Sequence, residues 1–295
     1  MRIQREHSEF GNDALSAFES GQIEKAGFLF WLDTWMNPCY MSLHNYGVYL
    51  MDHVSYCPMG NHSYLSGIHR SMSSALRRLL KARQYDATQW NNTIAIGDTY
   101  CMMCKYSKAI CFYAMAYDVS KNNYQQAYAM AKKGVAFMYI GSYCNANDSF
   151  YKARELSIDP VFRIFCQYSR VLCDALSTQC DMEKYLLFQK ELHDLQEVHY
   201  AELDTSGKDD VDLIVIASLS IAYFYRDFDE VIEIANHYPC YMFTELERRL
   251  IAEAKRFFAE EDSVQHSHLQ QSIASVKADF IASIPFRLFA VNCYN

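Results

Sequence analysis

The sequence predicts an all-α fold, a solenoid of stacked helix–turn–helix repeats. The first observation is a pattern of small and aromatic residues that occurs twice between Trp90 and Ile158. The second is the scarcity of residues that break helices, since the 295-residue chain has only 10 Gly and 5 Pro. The third is that no strand–turn signal, such as Asn-Gly between alternating apolar runs, is found. Together these observations favour helices over strands and a repeat over an irregular bundle.

The two copies share one spacing. The first consists of Gly97, Tyr100, Ala109, Tyr113 and Ala116, and the second, 37 residues later, of Gly134, Phe137, Ala146, Phe150 and Ala153. A Gly in the first helix and Ala residues in the second let two helices approach closely, while the aromatic side chains fill the space between them. Each copy is therefore predicted to form one helix pair.

This pattern resembles the tetratricopeptide repeat (TPR), a 34-residue helix–turn–helix unit with small and aromatic residues in the same order. The resemblance is clearest over residues 90–160, where Asp159-Pro160 is similar to the closing Pro of that repeat. It implies a TPR-like right-handed superhelix, for which we expect helical caps at both ends. The longer period leaves three extra residues, which we expect in the loop at 120–124.

Weaker copies extend the prediction to four to six helix pairs. Ala75, Leu79 and Ala82 stand 34 residues before the matching residues of the first copy. They indicate a preceding unit over 56–89, with a poor first helix. The predicted parts are an N-terminal helical cap that also fits a degenerate repeat (1–55), a repeat core (56–202), a loop (203–212) and C-terminal repeats with a cap (213–295).

The N-terminal part predicts three helices. Residues 9–30 indicate a pair broken near Ser20-Gly21, and Asn37-Pro38 ends the apolar stretch that follows. That stretch, 28–35, is rich in Phe, Trp and Leu, so we expect it to cap the stack or to bind something. A third helix is expected at 40–56.

The C-terminal part predicts helices around one polar loop. Two helices are expected over 161–196, and the loop, 203–212, contains one Gly and four acids. Thr244 and Glu247 have the spacing of a capping box, whose side chains satisfy free amides at a helix start. That helix should run to about residue 260, followed by another at 263–284 and a tail that packs back on the body.

No motif predicts a reaction. Cys101 and Cys104 are the nearest to a metal or redox motif, but a zinc site needs a second such pair or two His, and a redox pair needs a strand before the helix. The histidines lack metalloprotease spacing, and no glycine-rich phosphate loop is found. We therefore predict a protein that is not an enzyme and has no catalytic residue, metal or cofactor, with both cysteines packed at a turn between helices.

Charge and the length of apolar runs limit the partners. The net charge of −8 disfavours direct nucleic-acid binding, and the basic cluster at 77–83 is expected on a solvated outer face. The longest apolar run, 213–225, is too short to span a bilayer. The start shows no signal-peptide pattern, and the 11 Cys are irregularly spaced, so a cytoplasmic protein with reduced cysteines is predicted.

The resemblance implies a partner site on the first helices of the pairs, which line the concave groove of such a stack. The residues predicted on that face are Tyr64, Asn91, Ile94, Asp98, Met102, Tyr128, Val135, Met138 and Tyr139. Their Tyr and Met side chains suit protein binding. The sequence supports equally well that these residues pack against the adjacent repeat or the C-terminal helices. Family members that bind a chain-terminal carboxylate have Asn where Asp98 and Val135 stand, so that ligand is not expected.

Two functions fit these predictions. In the first, the protein is an adaptor or chaperone that holds an apolar segment of a protein partner in its groove. In the second, it resembles the cytoplasmic TPR-type peptide receptors of bacteria and phages, whose conformation responds to a short peptide. Those regulators carry an N-terminal helix-turn-helix, and 1–37 contains no basic recognition helix. A homodimer formed through the aromatic ends is compatible with either function.

Overall fold

Thirteen α-helices and one 3₁₀ turn make up the described part of the chain, which contains no strand. The structure, a computed structural model, describes residues 8–55, 62–177, 181–202 and 205–259. The helices are α1 (Glu9–Glu19), α2 (Ile23–Met36), α3 (Tyr40–Ser55), α4 (His62–Tyr85), α5 (Trp90–Met102), α6 (Tyr106–Asp118), α7 (Asn123–Tyr139), α8 (Tyr143–Leu156), α9 (Pro160–Leu176), α10 (Met182–Glu202), α11 (Thr205–Phe224), α12 (Phe228–His237) and α13 (Glu245–Ala259).

The helices belong to two compact units, Met1–Ala136 and Phe137–Asn295. In unit 1, α1 packs on α2, α3 on α4 and α5 on α6; in unit 2, α8 packs on α9, α9 on α10 and α11 on α12. The boundary falls within α7, whereas the predicted repeat core runs through it. The all-α helical-repeat fold is confirmed.

The same tight turn occurs four times among the described residues. The backbone φ is positive at Gly21 (76°), Cys104 (57°), Gly141 (72°) and Arg226 (61°). In each turn the next N–H bonds to the carbonyl five residues earlier, in the pairs Gln22–Ala17, Lys105–Tyr100, Ser142–Phe137 and Asp227–Ala222, at 2.8–2.9 Å. This is the Schellman motif, which ends a helix with one left-handed residue. The repeat therefore persists in the backbone even where the turn residue is not Gly.

Cys104 occupies a position that favours Gly, and its replacement should stabilise the protein. A side chain in the left-handed region costs about 1–2 kcal/mol, and the greater freedom of an unfolded Gly offsets about 0.5–1 kcal/mol of that. We expect Cys104→Gly to raise the free energy of unfolding by about 0.5–1 kcal/mol, measured by urea denaturation. Cys104→Ala removes the thiol but keeps the strain, so an equal gain in this variant would contradict the backbone explanation.

Glycines permit close helix contacts, as the spacing predicted for Gly97. A methyl group built on Gly97 would lie 2.6 Å from Cε1 of Tyr113, and one on Gly47 would lie 2.7 Å from Cδ2 of Leu79. Both distances are too short for carbon atoms, so any larger residue would force the neighbouring side chain to move. The second contact shows that α3 is the first helix of the preceding unit and that α4 is its second.

Two predicted loops are wrong, the first for a local reason and the second because of a tertiary contact. The extra residues of the second copy do not enlarge the loop, because 119–122 is four residues long, like 86–89. They extend α7, which has 17 residues where α5 has 13. Asn122 accepts a hydrogen bond from the Gln125 N–H at 2.9 Å, and Oε1 of Gln125 accepts one from the Lys121 N–H at 2.8 Å. This reciprocal cap starts the helix early.

The predicted loop at 203–212 is helical from Thr205 onward. Its last turn is tied to α12, because the Tyr238 hydroxyl donates to Oδ1 of Asp212 at 3.0 Å, and the neighbouring Val211 is fully buried. A tertiary contact therefore stabilises a helix that its polar composition alone disfavours.

The predicted unit at 56–89 is wrong, because a single helix, α4, covers the described part of that range as far as Tyr85. The remaining predicted helices agree with the structure where it describes them. The first pair breaks at Ser20-Gly21, and a third helix covers 40–55. The Thr244 N–H donates to Oε2 of Glu247 at 2.8 Å, which is the carboxylate half of the predicted capping box. The predicted helix at 263–284 and the tail lie outside the described residues.

Candidate partner-binding surface

The predicted residues of α5 differ in their access to solvent. Ile94 and Asp98 are buried, at 2% and 8% exposed, whereas Asn91 is half-buried and Met102 is exposed. Asp98 is covered by α7, since Nζ of Lys132 lies 3.4 Å from Oδ1 of Asp98. Only the two ends of this face therefore offer side chains to a partner.

A buried ion pair joins α5, α6 and α7 beneath this surface. Besides Lys132, Asp98 binds the hydroxyl of Tyr113, which donates to Oδ1 at 2.7 Å. Burial, and then the nearby charge of Asp98, raises the pKa of Tyr113 well above its ordinary value, so the hydroxyl stays a donor. Because the charges of Asp98 and Lys132 are opposite and Tyr113 is neutral, this group of three side chains carries no net charge.

The accessible part of α7 is aromatic. The ring centroids of Tyr124 and Tyr128 are 6.3 Å apart, and the Tyr128 ring meets Trp90 of α5 edge-on at 5.7 Å. We call these three residues the aromatic row. Tyr124 is 58% exposed, the other two are half-buried, and Nζ of Lys132 lies 5.4 Å from the Tyr128 ring centroid. The aromatic row therefore contacts the buried ion pair through Tyr128 and Lys132.

The remaining predicted residues do not join this row. Val135 and Met138 are buried, and Tyr139 is half-buried; Met138 and Tyr139 also belong to unit 2. Tyr64 was placed in a first helix, but its backbone lies in α4, the second helix of its pair, and its side chain is outside what the structure describes. Of the nine predicted residues, Asn91, Met102 and Tyr128 remain candidates for contact in unit 1.

Trp90 and Tyr124 were not predicted as site residues. Trp90 precedes the first residue assigned to the α5 face, and Tyr124 lies in the extra turn of α7 that was expected to be a loop. Its spacing of four from Tyr128 could have revealed it, because residues four apart share one helix face.

Cys101 and Cys104 lie at the turn between α5 and α6, as predicted, but only Cys101 is packed, since Cys104 is exposed. Cys101 is buried, and burial, with Asp98 nearby, raises the pKa of its thiol to about 12. A thiol in that state is a poor nucleophile and a poor metal ligand. Within the described ranges, no cluster of three or more His, Cys, Asp or Glu could hold a metal ion. The same ranges contain no helix that is long and apolar enough to cross a bilayer.

The basic cluster is only partly solvated. Arg77 and Lys81 are exposed, but the guanidinium of Arg78 lies 4.5 Å from the Tyr46 ring centroid and that of Arg83 lies 5.3 Å from that of Phe112. Half of the cluster therefore packs on aromatic rings of neighbouring helices.

Comparison with known proteins identifies the fold. The chain is similar to the crystal structure of MamA, with a TM-score of 0.51 and 19% identity over 63% of this chain and 96% of that one. It is also similar to the crystal structure of TTC0263, a thermophilic TPR protein of Thermus thermophilus, with a TM-score of 0.45 and 12% identity over 54% and 78% of the two chains. The first similarity supports the predicted TPR-like fold, and the second is too low to add to it. No family model and no curated protein matches.

Proposed function

We propose that this protein is a non-catalytic interaction scaffold that binds an uncharged, apolar segment of a protein partner on the aromatic row. A helical-repeat fold does not by itself determine a function, so the proposal is carried by one surface observation. Tyr124, Tyr128 and Trp90 form a continuous row of rings that is accessible at one end and anchored at the other.

The chemistry of the row favours this class of partner. Tyr and Trp supply large contact areas, lose little side-chain entropy on binding and are enriched among the residues that dominate interface energies. Among the described residues, the cation in contact with the row is Lys132, which is 3% exposed and paired with Asp98, so it has no free charge for an acidic ligand. An apolar segment with few charges suits such a surface.

The underlying network supports a preformed site. Trp90, Tyr128 and Lys132 come from two helices that the buried ion pair holds together. A surface fixed in this way loses little freedom on binding, and preorganisation of this kind increases affinity. The half-buried amide of Asn91, adjacent to Trp90 in α5, is a candidate hydrogen-bond partner for the backbone of an extended segment.

The test is site-specific capture followed by a binding titration. A photo-reactive phenylalanine at position 124 should cross-link a partner from the lysate of the organism that makes the protein. The same probe at Tyr241, which is 80% exposed in unit 2, is the matched control. For the captured partner, we expect Tyr124→Ala to weaken binding at least about 10-fold and Tyr241→Ala to leave it unchanged.

Equal affinity for wild type and Tyr124→Ala would reject the aromatic row as the site. The size of the captured molecule distinguishes the two functions. A segment of a larger protein fits the adaptor or chaperone, whereas a free short peptide fits the peptide-responsive regulator.

A further inference from the structure

One face of α2 is exposed and apolar. Phe28 is 59% exposed, Trp31 43%, Trp35 70% and Met36 51%. We call these four residues the α2 ridge. The sequence predicted that this aromatic stretch caps the stack or binds something, and no described helix covers it. The geometry points to a homodimer in which the α2 ridges of two copies pack against each other.

The spacing of the ridge suits a helix as its partner. Phe28, Trp31 and Trp35 are three and four residues apart, which is the spacing of a helix–helix seam. The Phe28 and Trp31 rings are in contact, with centroids 5.8 Å apart. A ridge on one helix is convex, so it cannot enclose an extended peptide. A second copy presents the same ridge in the opposite direction, which is the requirement for a two-fold interface.

The exposed area agrees with a dimer. A large apolar side chain has about 150–250 Å² of surface. The exposed fractions of the four ridge residues therefore leave roughly 450 Å² of apolar surface on each copy. A standard interface buries about 800 Å² per partner, of which about 57% is apolar. The ridge therefore supplies about the whole apolar share of one side.

The charges around the ridge are compatible with self-association. Between positions 28 and 36 the only charged side chain is Asp33, and it is fully buried on the other face of α2. There its Oδ1 accepts hydrogen bonds from Ser8 Oγ at 2.7 Å and from Asn37 Nδ2 at 3.1 Å. Two copies with a net charge of −8 each repel at long range, but the segment 28–36 brings no exposed charged side chain to the contact, and the exposed charges one turn before it, Glu24 and Lys25, are of opposite sign.

The packing of α2 holds the ridge in place. Ala26 and Phe30, on the face opposite the ridge, are fully buried against neighbouring helices. The Tyr49 hydroxyl of α3 donates to the Ile23 carbonyl at 2.9 Å. A rigid ridge needs no rearrangement to dimerise, which lowers the cost of association.

Sedimentation velocity over about 1–100 µM, a range that brackets an ordinary micromolar dimer, tests the inference. Wild type should form a dimer, and Trp35→Glu, which places a charge in the interface twice, should raise the dissociation constant at least about 100-fold. The control is Tyr241→Glu, which also replaces an exposed aromatic side chain by a carboxylate, but in unit 2. This variant should dimerise like wild type. Circular dichroism confirms that both variants are folded.

Tryptophan emission gives an independent measurement. Two of the three tryptophans lie in the ridge, so dilution of wild type should shift the emission to longer wavelength as the dimer dissociates. A wild-type monomer over the whole range, or a Trp35→Glu variant that dimerises as tightly as wild type, would overturn the inference.

Discussion

Lys132→Met should strongly destabilise the protein, although Met preserves most of the volume of the Lys side chain. The substitution leaves the buried carboxylate of Asp98 with the Tyr113 hydroxyl and without its cation. Breaking a buried ion pair from one side costs about 3–5 kcal/mol. We expect the free energy of unfolding, measured by urea denaturation followed by circular dichroism, to fall by about this amount.

The double variant Asp98→Asn/Lys132→Met is the matched control. It removes both charges and leaves an amide oxygen that can accept from Tyr113, so most of the lost stability should return. If the double variant loses as much free energy of unfolding as Lys132→Met and Asp98→Asn do together, the loss comes from packing and the ion pair is not its cause.

Acid should destabilise the protein through His44. This side chain of α3 is fully buried, and its Nδ1 lies 3.1 Å from Oδ1 of Asn92 in α5. Burial lowers the pKa of His44 to about 4, although the hydrogen bond to Asn92 opposes the shift. Asn92 in turn donates to the Leu79 carbonyl at 3.0 Å. His44 is therefore protonated near pH 6.5 in the unfolded chain but only near pH 4 in the folded chain.

The sign and the size follow from this difference. Above pH 6.5 the imidazole is neutral in both states and contributes nothing. As the pH falls toward 4, only the unfolded state is protonated, so stability falls by about 1.4 kcal/mol per pH unit, roughly 3 kcal/mol in total. The measurement is the free energy of unfolding of wild type and of His44→Gln at several pH values.

The comparison with His44→Gln is needed because Asp52 titrates in the same range. Burial raises the pKa of Asp52 to about 6 in the folded protein. As the pH falls, Asp52 therefore binds a proton in the folded state before it does in the unfolded state, and this stabilises the folded state. This contribution is present in both proteins and cancels in their difference. A difference between the two proteins that stays constant from pH 7 to pH 4, a range that spans the ordinary His pKa, would show that His44 is not the titrating group.

Much of the fold followed from local patterns. The spacing from Gly97 to Ala116, repeated from Gly134, describes contacts between the two helices of one pair, and those contacts depend only on residues close in sequence. The loops were less predictable, because the helix in each place depends on specific side-chain contacts, at the start of α7 and within the first half of α11, which composition alone does not reveal. Asn122 caps α7 with Gln125, and Asp212 anchors the first half of α11 to Tyr238.

The candidate site was predicted less well than the fold. The sequence allowed Asp98 either to contact a partner or to pack against the adjacent repeat, and in the structure Lys132, 34 residues later, covers it. Tyr128 remains accessible only in part, and the exposed end of the row is Tyr124. Accessibility depends on how one pair packs on the next, and a periodic pattern within a pair does not specify that packing.

The sequence by itself determined that this protein is built of TPR-like helix pairs, because its small and aromatic residues recur at the contacts within each pair. Only the tertiary structure decided which side chains stay available to a partner. Burial of the Asp98–Lys132 pair leaves the aromatic row at the surface, and packing of Phe30 turns Trp35 outward on α2. These outcomes depend on contacts between helices of different pairs, where distant residues compete for one buried position.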